Sequence, residues 1–184
     1  MDLEKSRRIE AATWQLLANE GYHALTFEAI AAKVGCNRPT IYRRYTSKVH
    51  LVASVLRNTL LSLAPPDEQK ITPREALRDL VKIGVTYLSG ERGSALLNVA
   101  SVAHTSPEIA QALDAHLAGI TPYYFTQLRR LAPDAPEAHL NFVMHTLIGS
   151  FMYHLTFRRV SLTQAQIDSL VDQAIALVTR PPAA

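Results

Sequence analysis

Residues Phe27 to Tyr45 read FEAIAAKVGCNRPTIYRRY, and they predict two short helices about a tight turn, a helix-turn-helix. Thr26 can cap the free backbone N–H groups of the first helix, with Leu25 and Ile30 at the spacing of a hydrophobic staple. Gly35 ends it, because glycine enters the left-handed conformation that closes a helix at little cost. Asn37 caps the second helix, and Pro39 falls in its first turn, where a missing N–H is harmless, so this helix can run to about Arg44. The pattern needs a small residue where the helices cross, supplied by Ala31, and apolar residues facing the core, supplied by Ile30, Val34 and Ile41. Left exposed on the second helix are Arg38, Thr40, Tyr42, Arg43 and Arg44, side chains able to bind phosphates and reach guanine edges in a major groove.

Charge singles out the same segment. Of the 19 Lys/Arg and 16 Asp/Glu in the 184 residues, the first 50 hold eight bases against five acids and the remainder eleven of each, so the whole excess of +3 lies N-terminal. Lys33, Arg38, Arg43, Arg44 and Lys48 fall in sixteen residues without an acid. An ordinary solvated helix face intersperses acids with its bases. A concentrated basic set is instead the footprint of a polyanion partner.

The run T-x-x-x-I-A-x-x-x-G from Thr26 to Gly35, followed by T-I-Y-R-R-Y-T-S-K from Thr40 to Lys48, resembles the TetR family of bacterial transcriptional regulators, a likeness that extends over about residues 5 to 60. The resemblance implies that Thr26, Thr40, Tyr42 and Lys48 anchor phosphates and that Arg38 and Arg43 address base edges. Asn37 stands where that family often has serine, and Arg44 where it often has histidine or another aromatic; both are expected to contact phosphate. The resemblance further implies a C-terminal half that binds a small-molecule effector and forms a homodimer.

Working outward, nearly every apolar run repeats at three and four residues, so the fold class is all-α: an N-terminal three-helix helix-turn-helix domain, residues 1–46, then a helical ligand-binding and dimerisation domain, residues 47–184. The first helix buries Ile9, Ala12, Leu16 and Leu17 and stops near Gly21; a fourth runs from Ser47 to about Leu63. The segment from Ala64 to Thr72 reads as a linker. Thr72-Pro73-Arg74-Glu75 forms a capping box that opens the next helix, which ends at Ser89-Gly90. A short helix from about Ser94 to Ala103 follows, then one from Pro107 to Leu131 that Pro122 should kink or split near Gly119. Asp134 with Glu137, and Thr163 with Gln166, read as capping pairs of the last two helices, and Pro181 to Ala184 as a frayed tail.

Five of the seven histidines, His104, His116, His139, His145 and His154, lie in the C-terminal half, yet none pairs at i,i+4 spacing. A metal-responsive regulator is therefore a secondary reading, and no metal or cofactor is expected. Tyr87, Asn98, His104, His116, Tyr123, Tyr124 and His145 are the candidate polar tips of an otherwise apolar effector cavity. Dimerisation is expected through stripes on the last two helices, with Leu147, Phe151 and Leu155 on one and Ile167, Leu170, Val171, Ala174 and Val178 on the other. The lone Cys36 excludes an internal disulfide and suits a reducing compartment. The N-terminus lacks the apolar block of a secretory signal, and Asn141, His145, Thr146, Ser150 and His154 break the longest apolar stretch too often for a membrane span. These features predict a cytoplasmic, ligand-responsive repressor, released from a palindromic double-stranded DNA operator by a small apolar effector, with no membrane partner. It is not expected to be an enzyme: P-loop, G-x-S-x-G and H-E-x-x-H signatures are absent, which disfavours a helical-bundle enzyme using His and Tyr. A DNA-binding protein without effector control is a further rival.

Overall fold

The computed structural model describes residues 3–60 and 71–180, and all regular structure among them is helical. Helices α1 (Leu3–Asn19), α2 (Gly21–Ala24), α3 (Phe27–Val34), α4 (Arg38–Tyr42) and α5 (Lys48–Leu60) precede α6 (Pro73–Leu88), α7 (Glu91–Ala103), α8 (Pro107–Ala118), α9 (Thr121–Leu131), α10 (Glu137–Met152) and α11 (Gln164–Val178). A π-helical turn, Tyr153–Phe157, extends α10. Most of the predicted linker, the end of the fourth helix beyond Leu60 and the tail from Pro181 lie outside the described residues.

Among the described residues two compact units emerge, 3–60 with 90–117, and 71–89 with 118–180. In the first, α1 is the central element. Ile9, Leu16 and Leu17 are buried, as their spacing predicts, with α7, α3, α2 and α5 packed around it. The one-turn α2 has no counterpart in the sequence periodicity. Gly21, at φ +81°, ends α1 and lets the chain turn into it, which buries Tyr22. Helix α7 starts three residues before the predicted Ser94, at Glu91. Asn98 lies on it, and its Nδ2 donates to the Leu17 carbonyl at 2.8 Å, joining α7 to α1.

His116 on α8 is 2 % exposed and its Nδ1 lies 3.1 Å from the Leu56 carbonyl of α5. Burial pushes its pKa below 6.5, outweighing the hydrogen bond that favours the charged form. As pH falls through about 6.5 the unfolded chain takes up this proton before the folded one does. The contribution of neutral His116 is therefore complete above about 6.5 and declines below it, with a slope no steeper than about 1.4 kcal/mol per pH unit. Urea unfolding between about pH 7.5 and about pH 5 should show this decline, and His116→Gln should flatten it. An unchanged pH profile in the variant would refute the assignment.

In the second unit, α6 packs against α9, α10 and α11. Its start is the predicted capping box: Thr72 Oγ1 accepts from the Glu75 N–H, and the Glu75 carboxylate accepts in return from the Thr72 N–H. Thr163 and Gln166 do the same for α11. The Asp134–Glu137 pair does not form a cap. Helix α10 begins at Glu137 behind Pro136, with no side-chain bond at its N-cap. Pro122 divides the predicted long helix as expected, since α8 ends at Ala118 and α9 starts at Thr121.

The apolar stripes of α10 and α11 require a correction. Leu147, Phe151, Ile167, Val171, Ala174 and Val178 are each at most 6 % exposed, so they belong to the protomer's own core, where α10 and α11 meet each other and α6. Leu155 and Leu170 are half-buried. Among the described residues, the outward face of α10 carries Phe142, His145, Thr146, Gly149 and Tyr153 instead.

Candidate nucleic-acid interface

The helix-turn-helix is built from local bonds that the sequence specifies. Thr26 Oγ1 accepts from the Ala29 N–H at 3.1 Å and caps α3. Gly35 sits at φ 71°, ψ 43°, and its N–H and that of Cys36 both donate to the Ala31 carbonyl, closing the helix. Arg8 of α1 adds a bond that no sequence motif signals, its Nη2 donating to the Val34 carbonyl at 2.6 Å. Asn37 Oδ1 accepts from the Thr40 N–H and from its hydroxyl, so α4 begins with a firm cap. Ile30, Ala31, Val34 and Ile41 are buried, Ile30 and Ile41 completely.

Outward from this core, Arg38, Tyr42 and Arg43 are exposed and Thr40 is half-exposed. Tyr42 stands edge-on to Phe27, ring centroids 4.7 Å apart, which fixes its direction while leaving 54 % of it accessible. Arg38 pairs with Glu28 of α3, Nη1 to Oε1 at 3.1 Å. Glu28 lies five residues before the acid-free segment, so a search for uninterrupted basic charge passes over it.

Two expected phosphate anchors are held differently. Lys48 Nζ donates to the Tyr22 carbonyl at 3.0 Å, lies 3.5 Å from the His23 carbonyl and sits 4.3 Å above the Tyr22 ring. Partial burial lowers its pKa. Arg44 Nη1 donates to Ser6 Oγ at 2.9 Å and is half-buried against α1. Both cations therefore also bond to the scaffold, through carbonyls of α2 for Lys48 and a hydroxyl of α1 for Arg44. Thr26, Asn37, Arg38, Thr40, Tyr42 and Arg43 form the open polar surface.

The expected effector tips are divided between the two units. Asn98 and His116 are bonded to backbone carbonyls of the first unit, and His104 is exposed. In the second, Tyr87 and Tyr124 are buried, Tyr124 donating to the Leu80 carbonyl at 2.8 Å, whereas Tyr123 and His145 face outward. Of the other histidines, His139 lies with Nε2 3.1 Å from the Leu177 carbonyl. No group of three His, Cys, Asp or Glu suited to a metal occurs among the described residues, and no helix there is long and apolar enough to cross a membrane.

A capped helix-turn-helix with an exposed basic second helix, on an all-helical chain, defines a DNA-binding transcriptional regulator. The sequence profile described as "Bacterial regulatory proteins, tetR family" matches residues 9–55. An uncharacterized HTH-type transcriptional regulator of Mycobacterium tuberculosis is 25% identical over 172 residues, covering 90% of this chain and 83% of that one. The fold is similar to that of the Bacillus subtilis regulator FadR in complex with stearoyl-CoA, with TM-score 0.72, 16% identity and coverage of 96% and 99%. It is similar also to a Saccharomonospora viridis transcriptional regulator in complex with choline, with TM-score 0.67, 20% identity and coverage of 94% and 96%. Residues 9–55, which hold the helix-turn-helix, thus match the TetR family of bacterial regulators, as the resemblance of the helix-turn-helix residues implies.

Proposed function

We propose that this regulator is a homodimeric, cytoplasmic repressor that leaves a palindromic operator when an organic small molecule binds its C-terminal half. The single observation that carries the reading is the open surface of Arg38, Thr40, Tyr42 and Arg43 on and beside the capped α4. Residues 1–46 are the DNA-binding part and residues 47–184 the regulatory part. Arg38 and Arg43 address base edges, and Thr26, Asn37, Thr40 and Tyr42 address phosphates. Arg44 and Lys48 position the helices behind them.

The stearoyl-CoA and choline complexes of the two fold relatives support an organic effector over a metal. An effector must bind one spacing of the recognition helices better than the other to release DNA. Its cavity is proposed within the C-terminal helices, without the seven tips as a set. The family is not an enzyme class, and the reading assigns no catalytic role.

Fluorescence anisotropy with an operator selected from random duplexes tests the function. Binding should weaken steeply with salt, since each neutralised phosphate releases counterions. Arg38→Ala should lose about 1–3 kcal/mol at one base position in each half-site, the worth of a bidentate contact to guanine. A preference unaltered at every position would remove Arg38 from the groove. A thermal-shift screen of organic compounds tests effector control, and hits that stabilise the protein and lower operator affinity are the expected result.

A further inference from the structure

We propose that Glu28 is a specificity-determining residue, forming with Arg38 a composite edge that reads one G·C pair in each operator half-site. The inference rests on the proposed placement of Arg38 in the major groove. Arg38 opens α4 and Glu28 lies in the first turn of α3, so their side chains meet across the helix-turn-helix, Nη1 to Oε1 at 3.1 Å. Both remain substantially exposed, at 61% and 41% of the side chain. The pair is thus presented at the surface.

A lone exposed arginine samples many rotamers and must lose that freedom on reaching a base. Tethering one guanidinium nitrogen to Glu28 fixes the fork while leaving other N–H groups free. Oε2 of Glu28, the other carboxylate oxygen, remains an acceptor. The ion pair therefore presents donors beside an acceptor. In the major groove a G·C pair displays the complement, two acceptors on guanine O6 and N7 and a donor on cytosine N4. An A·T pair sets an acceptor, the thymine O4, and a methyl group where the carboxylate would need a donor. An acid facing DNA is costly against phosphates, so Glu28 weakens binding in general while sharpening it at that pair.

An alternative role for Glu28 is to favour the α3 N-terminus through the helix dipole. That role would leave base preference untouched, which makes the operator profile the decisive readout. Selection from random duplexes should be run on the whole chain for wild type, Arg38→Ala, Glu28→Gln and Glu28→Ala. Glu28→Gln is nearly isosteric and, being exposed, keeps the fold, which circular dichroism checks. The expected result is a G·C preference of about 5- to 150-fold at one position in the wild type. Arg38→Ala should abolish it. Both Glu28 variants should reduce it roughly tenfold at that same position, while raising affinity for unrelated sequences.

If Arg38→Ala leaves every position unchanged, the groove placement itself fails and the inference with it. If Arg38→Ala relaxes one position but neither Glu28 variant alters it, Glu28 is not part of the edge and only the inference is overturned. A uniform rise in affinity without altered preference overturns it likewise.

Discussion

Phe151→Ala should destabilise the protein by about 3–5 kcal/mol, the range for emptying a large aromatic site in a packed core. Phe151 is 2 % exposed, and its ring lies so close to Gly84 of α6 that a Cβ built there would meet Cζ at 2.9 Å and Cε2 at 3.0 Å. Tyr124 Oη would be 3.3 Å from the same point. Glycine at 84 thus admits the ring, at the cost of helix propensity in α6. The contact predicts a change of sign in a double-mutant cycle. Gly84→Ala alone should destabilise by about 1–3 kcal/mol through overpacking. In the Phe151→Ala background the methyl enters vacated space, and the same change should stabilise by about 0.5–1 kcal/mol. Urea denaturation of the four proteins measures the coupling, and additive effects would show that the ring and Gly84 do not touch in solution.

What can be read in the sequence divides along one physical line. Features fixed by a few neighbouring residues are legible: the caps at Thr26, Asn37, Thr72 and Thr163, the left-handed Gly35 and the break before Pro122. Each depends on a hydrogen bond or dihedral within about one helical turn. Direction is not legible. The stripe through Leu147 and Phe151 has the same periodicity whether it faces α6 or a second molecule, and burial within the protomer decides for α6. Asp134 has the residue type and the spacing to Glu137 of a capping box, yet it does not cap. The extended backbone of Pro136 sets the boundary of α10 instead, which makes Glu137 the first helical residue and leaves Asp134 two residues upstream of the N-cap. Within the site, composition locates Arg38 but not Glu28, because their meeting depends on how α3 crosses α4. Lys48 is visible as a cation, while its bond to the Tyr22 carbonyl needs α2, which no periodicity announces.

Gly149→Arg should abolish the proposed dimer while leaving the protomer folded. The outward face of α10 brings Phe142, Thr146, Gly149 and Tyr153 into one stripe, and a shallow groove beside it is lined by Thr146, Ser150, Leu170, Gln173 and Leu177. Phe142 is 59% and Tyr153 54% exposed, more aromatic surface than a water-facing helix usually offers. An added Cβ at Gly149 meets nothing within 4 Å, so a larger side chain fits there without disturbing the protomer's core. Arginine there improves helix propensity by about 0.8 kcal/mol and suits the C-terminal end of the helix dipole. The protomer should gain slightly from it. A two-fold axis, however, places every interface residue opposite its symmetry mate's surface, so two guanidinium groups would be desolvated together, costing several kcal/mol. That corresponds to roughly a thousandfold or greater rise in the dimer dissociation constant. Sedimentation should show monomers with undiminished helical circular dichroism. Phe151→Glu provides the contrast, since a carboxylate forced into the protomer core should unfold the chain instead of merely separating it. A Gly149→Arg protein that stays fully dimeric would move the interface off this face, because a central contact cannot absorb two opposed arginines without weakening.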